Sequence, residues 1–333
     1  MKIAVIGAGA IGCLVAGYLK LKNEDVLLIG HPESVKVIKE KGLIISGVRG
    51  NVSVRVGVSE KLDGEADLVI LAVKTQDIQA ALKENANGLH SGFLLTTQNG
   101  IQADHIAARY VDRERIFTSI VMFGATYLPP GAVVHNFEGS WMLGRLFGKP
   151  DEDLFAIANT LNAIFPSVVT EDIQGMKYLK VFVNANNCIP AILGISIQEA
   201  FADSFISRVA VAIWREGMDI VSRTGTHLDD LPDFPVSRLT RLTSLPAEES
   251  AKIFSGIMTN LSKEPLYGSI LQSIKRGRDS EIDYINGEFV ALAKDHKLSV
   301  PLNEKMVALV HQVERERKFF TRNEFLSVVK GLV

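Results

Sequence analysis

At 333 residues the chain is long enough for two domains, and its 47% apolar and 22% charged residues are the balance of a globular protein. A net charge of −2 leaves no basic excess with which to hold a nucleic-acid backbone, so nucleic acid is not the expected partner. No apolar run approaches the roughly 20 residues of a membrane-spanning helix, and Lys2 alone is not the charged start of a signal peptide, so a cytoplasmic protein with no membrane partner is expected.

Ile3 to Ile6 is a short apolar run, the pattern of a strand buried on both faces. Gly7, Gly9 and Gly12 follow as G-x-G-x-x-G, and Ile11 to Leu19 reads as a helix. Strand, glycine turn and helix are together the context of a dinucleotide-binding motif. Gly7 would permit the tight turn, Gly9 would leave room for a pyrophosphate, and Gly12 would let helix and strand pack closely. The turn residues Gly7, Ala8, Gly9, Ala10, Ile11 and Gly12 are therefore expected to bind the cofactor, with phosphates on free N–H groups at the helix N-terminus. An ordinary glycine-rich turn is the plainer alternative. Cys13 falls inside the helix as core, and with Cys188 it fits neither a disulfide framework nor a metal spacing.

The second strand, Asp25 to Ile29, runs into Gly30, His31 and Pro32 with no acid at its tip. An acid there would bind a ribose 2′-hydroxyl and favour NAD. His31, with Lys36 one turn later, suits a 2′-phosphate instead, so NADP (as NADPH) is preferred over NAD; solvated surface is the alternative for both side chains. Leu43 to Val58 reads as a hairpin around Gly47 and Gly50. Asp67 to Val73 is another buried strand, ending in Lys74-Thr75 before a helix from Asp77 to Leu82. Phe93 to Thr97 is a further strand, ending in Gln98-Asn99-Gly100. Lys74 and Asn99 thus fall at the carboxyl ends of parallel strands, where ligands of such sheets bind.

Arg115 to Val121 and Gly124 to Leu128 continue the strands, and Val133 to Phe137 and Trp141 to Leu143 read as closing antiparallel strands. A helix from Asp153 to Phe165 and a strand from Ser167 to Thr170 complete a doubly wound α/β domain over 1–172. Residues 173–333 read as an all-α domain. Its first helix, Met176 to Cys188, is apolar except for Lys177, Lys180, Asn184, Asn186 and Asn187. Lys180 and Asn184 share a face, and burying a lysine and an amide there is costly unless they have a use. Glu281 to His296 reads as an amphipathic helix with Ile282, Ile285, Phe289 and Leu292 on one stripe and Asp283 as a surface acid. A helical domain after a nucleotide domain predicts a reaction in the cleft between them.

The chain resembles the ketopantoate reductases (2-dehydropantoate 2-reductases) over nearly its whole length. The resemblance rests on GAGAIG at Gly7–Gly12, VKT at Val73–Thr75, QNG at Gln98–Gly100, K-x-x-x-N at Lys180–Asn184, and EIDYING at Glu281–Gly287 with Ser269 twelve residues before it. It implies a Rossmann-like N-terminal domain and a C-terminal domain like that of 6-phosphogluconate dehydrogenase. It implies NADPH-dependent reduction of ketopantoate to pantoate, a step towards pantothenate and coenzyme A. Carried over residue by residue, Lys180 matches the general acid, and Glu281 an acid that holds substrate and cofactor. Asn184 and Ser269 match substrate contacts, Lys74 a cofactor contact, and Asn99 a residue near both.

Two positions depart from the family pattern. The second substrate-binding asparagine falls at Cys188, a far weaker hydrogen-bonding group. Asn187 is adjacent but about 100° away on a continuous helix. A further amide site falls at Gln198, similar in chemistry but longer. Cys188 and Gln198 are expected at substrate-binding positions, and their departure from the pattern bears on which keto acid fits more than on the reaction.

The chemistry agrees with the resemblance. Hydride delivered to a ketone carbon leaves negative charge on the oxygen, which a nearby ammonium stabilises and protonates. Lys180 fits if burial or a neighbouring cation lowers its pKa; a snorkelling surface lysine is the alternative. The rival readings are a same-fold reductase of another 2-keto acid, or a dinucleotide-binding sensor without chemistry. Monomer and homodimer are both open.

Overall fold

The computed structural model describes residues 1–333. The chain divides into two compact units, Met1–Ile173 and Gln174–Val333. In the first, β1 (Lys2–Ile6), α1 (Ala10–Leu21), β2 (Asp25–Ile29), α2 (Pro32–Lys41), β3 (Leu43–Gly47), β4 (Val52–Val54), β5 (Gly57–Ser59) and β6 (Leu68–Leu71) come first. They are followed by α3 (Ile78–Glu84), β7 (Phe93–Thr96), α4 (Gln102–Ala107), β8 (Ile116–Val121), β9 (Gly124–Tyr127), β10 (Ala132–Phe137), β11 (Trp141–Gly144), α5 (Glu152–Asn162) and β12 (Ser167–Val169).

An eight-stranded sheet runs in the order β12-β11-β8-β7-β6-β1-β2-β5. Only the β11–β8 pairing is antiparallel. Both faces are covered, which is why a central strand such as β6, Leu-Val-Ile-Leu, is apolar on both sides. Ile3 and Val5 of β1 join a core with Leu14 and Leu19 of α1. Ala4 and Ile6 join the opposite core with Ile78 and Leu82 of α3 and Ala103 of α4.

A second sheet, β4-β3-β10-β9, differs from the sequence expectation. The hairpin exists only as β3 with β4, while β5 leaves it to pair with β2 in the main sheet. Nor does β10 close the main sheet; it lies between β3 and β9. The small sheet covers the outer side of α1: a Cβ on Gly17 would meet Ile45 of β3 at 2.4 Å. Hence α1 is buried continuously from Gly12 to Leu19.

The second unit is helical. Its elements are α6 (Ile173–Ala185, beginning at the last residue of the first unit), α7 (Cys188–Leu193), α8 (Ile197–Phe201), α9 (Ser204–Thr224), α10 (Val236–Ser244), α11 (Ala247–Thr259), α12 (Ser269–Lys275), α13 (Asn286–Asp295), α14 (Pro301–Glu316) and α15 (Arg322–Val329). Capped by Asp203 and by left-handed Gly225, α9 buries Ile206, Val209, Ile213, Trp214, Gly217 and Ile220. Gly217 has no room for a Cβ, which would meet the rings of Phe182 and Phe289 within 3 Å.

Two expected helices are interrupted. The one read as Met176 to Cys188 ends at Ala185 and restarts at Cys188. Pro190 explains the break, because its ring clashes with the carbonyl four residues back, at Asn186, and offers that carbonyl no N–H. The helix read from Glu281 begins instead as a single 3₁₀ turn, Ile282–Tyr284, and breaks at Ile285 before α13. Ile282, Ile285 and Phe289 are buried all the same. Helix α15, not anticipated from the sequence, starts with a capping box between Thr321 and Glu324.

Candidate active site

In the first unit, β1, β6 and β7 are neighbours in register, with Ile6 beside Leu71 and Leu71 beside Thr96. The segments that leave their carboxyl ends therefore emerge side by side: the glycine turn, Ala72 to Lys74, and Thr97 to Asn99. Gly7 has φ +115°, and a Cβ there would lie 2.7 Å from the Ala72 and Val73 backbone. A Cβ on Gly12 would fall 1.9 Å from the Gly7 carbonyl oxygen. Gly9 is different, since a Cβ there would meet nothing within 4 Å. Protein packing does not demand glycine at position 9, whereas the close approach of a dinucleotide pyrophosphate does. Gly7, Ala8, Gly9, Ala10 and Ile11 are all part-exposed, and burial begins at Gly12. These residues fit the group.

Gln98 ties the two neighbouring loops together. Its Nε2 donates to the carbonyls of Leu71 (2.8 Å) and Val73 (2.7 Å), and its Oε1 accepts from Thr97 N–H at 3.0 Å. Lys74 and Asn99 flank this bridge, both part-buried. Behind it, the wholly buried carboxylate of Asp104 accepts from Thr96 Oγ1 at 2.6 Å and Thr118 Oγ1 at 2.9 Å. Neither clamp is foreseen from the sequence, although Gln98 lies within a quoted motif. At the end of β2, His31 is exposed as the N-cap of α2, with Lys36 exposed on that helix.

In the second unit, α6 carries Lys180 and Asn184, one turn apart and both part-buried. Burial lowers the Lys180 pKa from 10.5 to about 8. Ser269 opens α12 as an exposed residue, and its hydroxyl does not cap that helix. A Cβ on Gly268 would lie 3.1 Å from Asn187, so Asn187 packs beside the start of α12. Glu281 is part-buried just before the 3₁₀ turn.

Two expected substrate contacts are placed otherwise. Cys188 is fully buried, and burial pushes its thiol well above the usual range despite nearby backbone N–H groups and Asn286. It presents no surface to a ligand. The amide of Gln198 is taken up inside the protein. Its Nε2 donates to the carbonyls of Ser262 (3.2 Å) and Glu264 (2.8 Å), and its Oε1 accepts from Leu266 N–H at 2.9 Å. With both donors used, Gln198 holds the loop before Ser269 rather than offering a free amide.

The parallel sheet and glycine turn of the first unit are those of a dinucleotide-binding domain, followed in the chain by a helical unit. Comparison with known proteins makes the class specific. The family described as Ketopantoate reductase PanE/ApbA matches residues 3–147, and its C-terminal counterpart matches 172–314. A 2-dehydropantoate 2-reductase of Pyrococcus horikoshii is 32% identical over 94% of this chain and 98% of its own length. The chain belongs to the ketopantoate reductase family. Among solved structures, D-mandelate dehydrogenase with NADH and anilino(oxo)acetate superposes with a TM-score of 0.81 at 26% identity, covering 95% of this chain and 99% of its own. A PanE/ApbA family ketopantoate reductase from Ralstonia eutropha shares the fold, with a TM-score of 0.80 at 24% identity over 95% of this chain and 99% of its own. No helix is long and apolar enough to cross a membrane.

Proposed function

We propose that the protein reduces 2-dehydropantoate (ketopantoate) to pantoate with NADPH, the step that supplies pantoate for pantothenate and coenzyme A. The observation that carries this reading is Lys180, an ammonium with a pKa of about 8 sharing a helix face with Asn184 in a chain of this family. A bound nicotinamide would supply hydride to the C2 ketone carbon. Lys180 hydrogen-bonds the ketone oxygen, stabilises the negative charge gathering there and donates the proton. A pKa near the working pH suits a general acid, which is mostly protonated at neutrality yet gives its proton up readily.

Asn184 and the Ser269 hydroxyl hold the keto acid group, and Glu281 accepts a hydrogen bond from the substrate's hydroxyl. N–H groups of the Gly7–Gly12 turn hold the pyrophosphate, and Lys74 and Asn99 line the cofactor's approach. NADPH is preferred because β2 ends without an acid and is followed by exposed His31 and Lys36.

A second reading, a reductase of another 2-keto acid, is favoured by the likeness to D-mandelate dehydrogenase and by the burial of Cys188 where the family has an amide. One assay separates the two: NADPH oxidation with ketopantoate and a phenyl-substituted 2-keto acid, using wild type and Lys180→Ala, with NADH in parallel. The expected result is turnover of ketopantoate with NADPH, and a loss of about 10²-fold or more in the variant, which still binds NADPH. A wild type that binds NADPH but ignores ketopantoate sinks the pantoate reading.

A further inference from the structure

Glu281 stands in a short segment whose two flanks are each tied to α14. On one side, Glu314 Oε1 accepts the Ser280 N–H at 2.6 Å. On the other, Asp283 Oδ1 lies 3.0 Å from His311 Nε2. His311 Nδ1 in turn lies 2.9 Å from Glu314 Oε2, which joins the two flanks through a single imidazole. The Glu314 side chain is 5% exposed, so this end of the bridge is anchored in the core, while Asp283 is on the surface.

Both ring nitrogens of His311 face carboxylate oxygens. A neutral imidazole has one N–H and would turn a lone pair towards the other carboxylate, so the arrangement matches the doubly protonated ring. Burial works against that charge, but hydrogen bonds and charge attraction from Asp283 and Glu314 outweigh it and raise the pKa of His311. Asp283, from the 3₁₀ turn, and Glu314, from α14 itself, are the charged groups that face the ring. Arg317, at the end of the same helix, reaches instead to the carbonyls of Ile274 and Gly277. The three side chains are not placed to hold a metal.

We infer that the Asp283–His311–Glu314 bridge holds the Glu281 carboxylate in place for the keto acid, and that the charge on His311 closes the bridge. The inference rests on the role proposed above for Glu281. His311 and Glu314 act through Glu281 and are positioning residues. Opening the bridge releases Asp283 and lets the segment around Glu281 move, which weakens substrate binding more than it slows chemistry.

The test is steady-state kinetics across pH with NADPH and ketopantoate, or with the keto acid that wild type turns over in its place. In wild type, KM for the keto acid is expected to rise as pH climbs through the pKa of His311, with a smaller change in kcat. His311→Ala should raise KM by about tenfold, the effect of losing one charge-assisted contact, and its KM should be flat over that pH range. Asp283→Asn, at an exposed side chain with little bearing on folding, should move the rise in KM to lower pH. In a Glu281→Gln background, His311→Ala should add almost nothing, because both act on one group. A wild-type KM and pH profile in His311→Ala, or additive penalties in the double variant, overturns the inference while the role of Glu281 stands. A Glu281→Gln variant with unchanged KM overturns that role and the inference together.

Discussion

Lys180 shows how much of a residue's chemistry belongs to its surroundings. In solution a lysine side chain is too weak an acid to part with its proton at neutral pH; here burial brings its pKa to about 8. In the proposed role of general acid Lys180 works in its protonated form, so kcat should be level below pH about 8 and fall tenfold per pH unit above it. Lys180→Arg keeps the charge but cannot be deprotonated in this range. It should therefore be slow and show no such fall, and a pH–rate profile of both proteins checks this. The same lesson applies to Cys188 and Gln198. Their types mark them as substituted substrate contacts, yet one is enclosed by core and the other spends its amide on a loop some 65 positions away. Nothing local in the sequence reports such partners.

At the scale of elements, the turn between β1 and α1 was readable because its requirements are local: an apolar strand, a residue at positive φ, and a helix start without side chains in the way. The structure adds that its glycines are required for different reasons. Gly12→Ala would drive a Cβ against the Gly7 carbonyl, so it should lose both NADPH affinity and stability, the latter by about 1–3 kcal/mol. Gly9→Ala meets no protein atom within 4 Å, so it should melt like wild type and bind NADPH more weakly. Thermal melting alongside an NADPH fluorescence titration separates the two. If Gly9→Ala leaves affinity unchanged, the pyrophosphate does not pass over that residue. Helix boundaries were less legible. Pro190 is visible, but its clash falls on Asn186, four residues earlier. The break at Ile285 has no comparable sequence signal, because its flanking segment is held by Glu314 and His311 from another helix. The capping box of α15 is a local signal, a threonine followed three residues later by a glutamate, at Thr321 and Glu324.

For the whole molecule, the two units provide separate reporters. Of the two tryptophans, Trp141 is buried in the first unit and Trp214 in the second. Each is surrounded by other aromatic rings, so a Trp→Phe exchange keeps the environment apolar. With Trp214→Phe, the fluorescence of Trp141 follows unfolding of the unit that carries the glycine turn. NADPH at a hundred times its Kd should stabilise that unit by about 2.7 kcal/mol and raise the Trp141 transition accordingly. A transition unmoved by saturating NADPH would mean that the dinucleotide binds elsewhere.

The class of each half of the chain and the strand–turn–helix at its start are legible in the sequence. It also carried the motifs of the ketopantoate reductase family, to which the chain belongs. These depend on periodicity, on backbone freedom at single positions and on residue types close together, all of which are local. Folding is what brings β3 and β10 together in a second sheet over α1. It alone set the pKa of Lys180, the enclosure of Cys188, the use of Gln198 and the joining of Asp283 to His311 and Glu314. Strand pairing, desolvation and hydrogen bonding between distant segments depend on which surfaces meet, and that is determined only when the chain has packed.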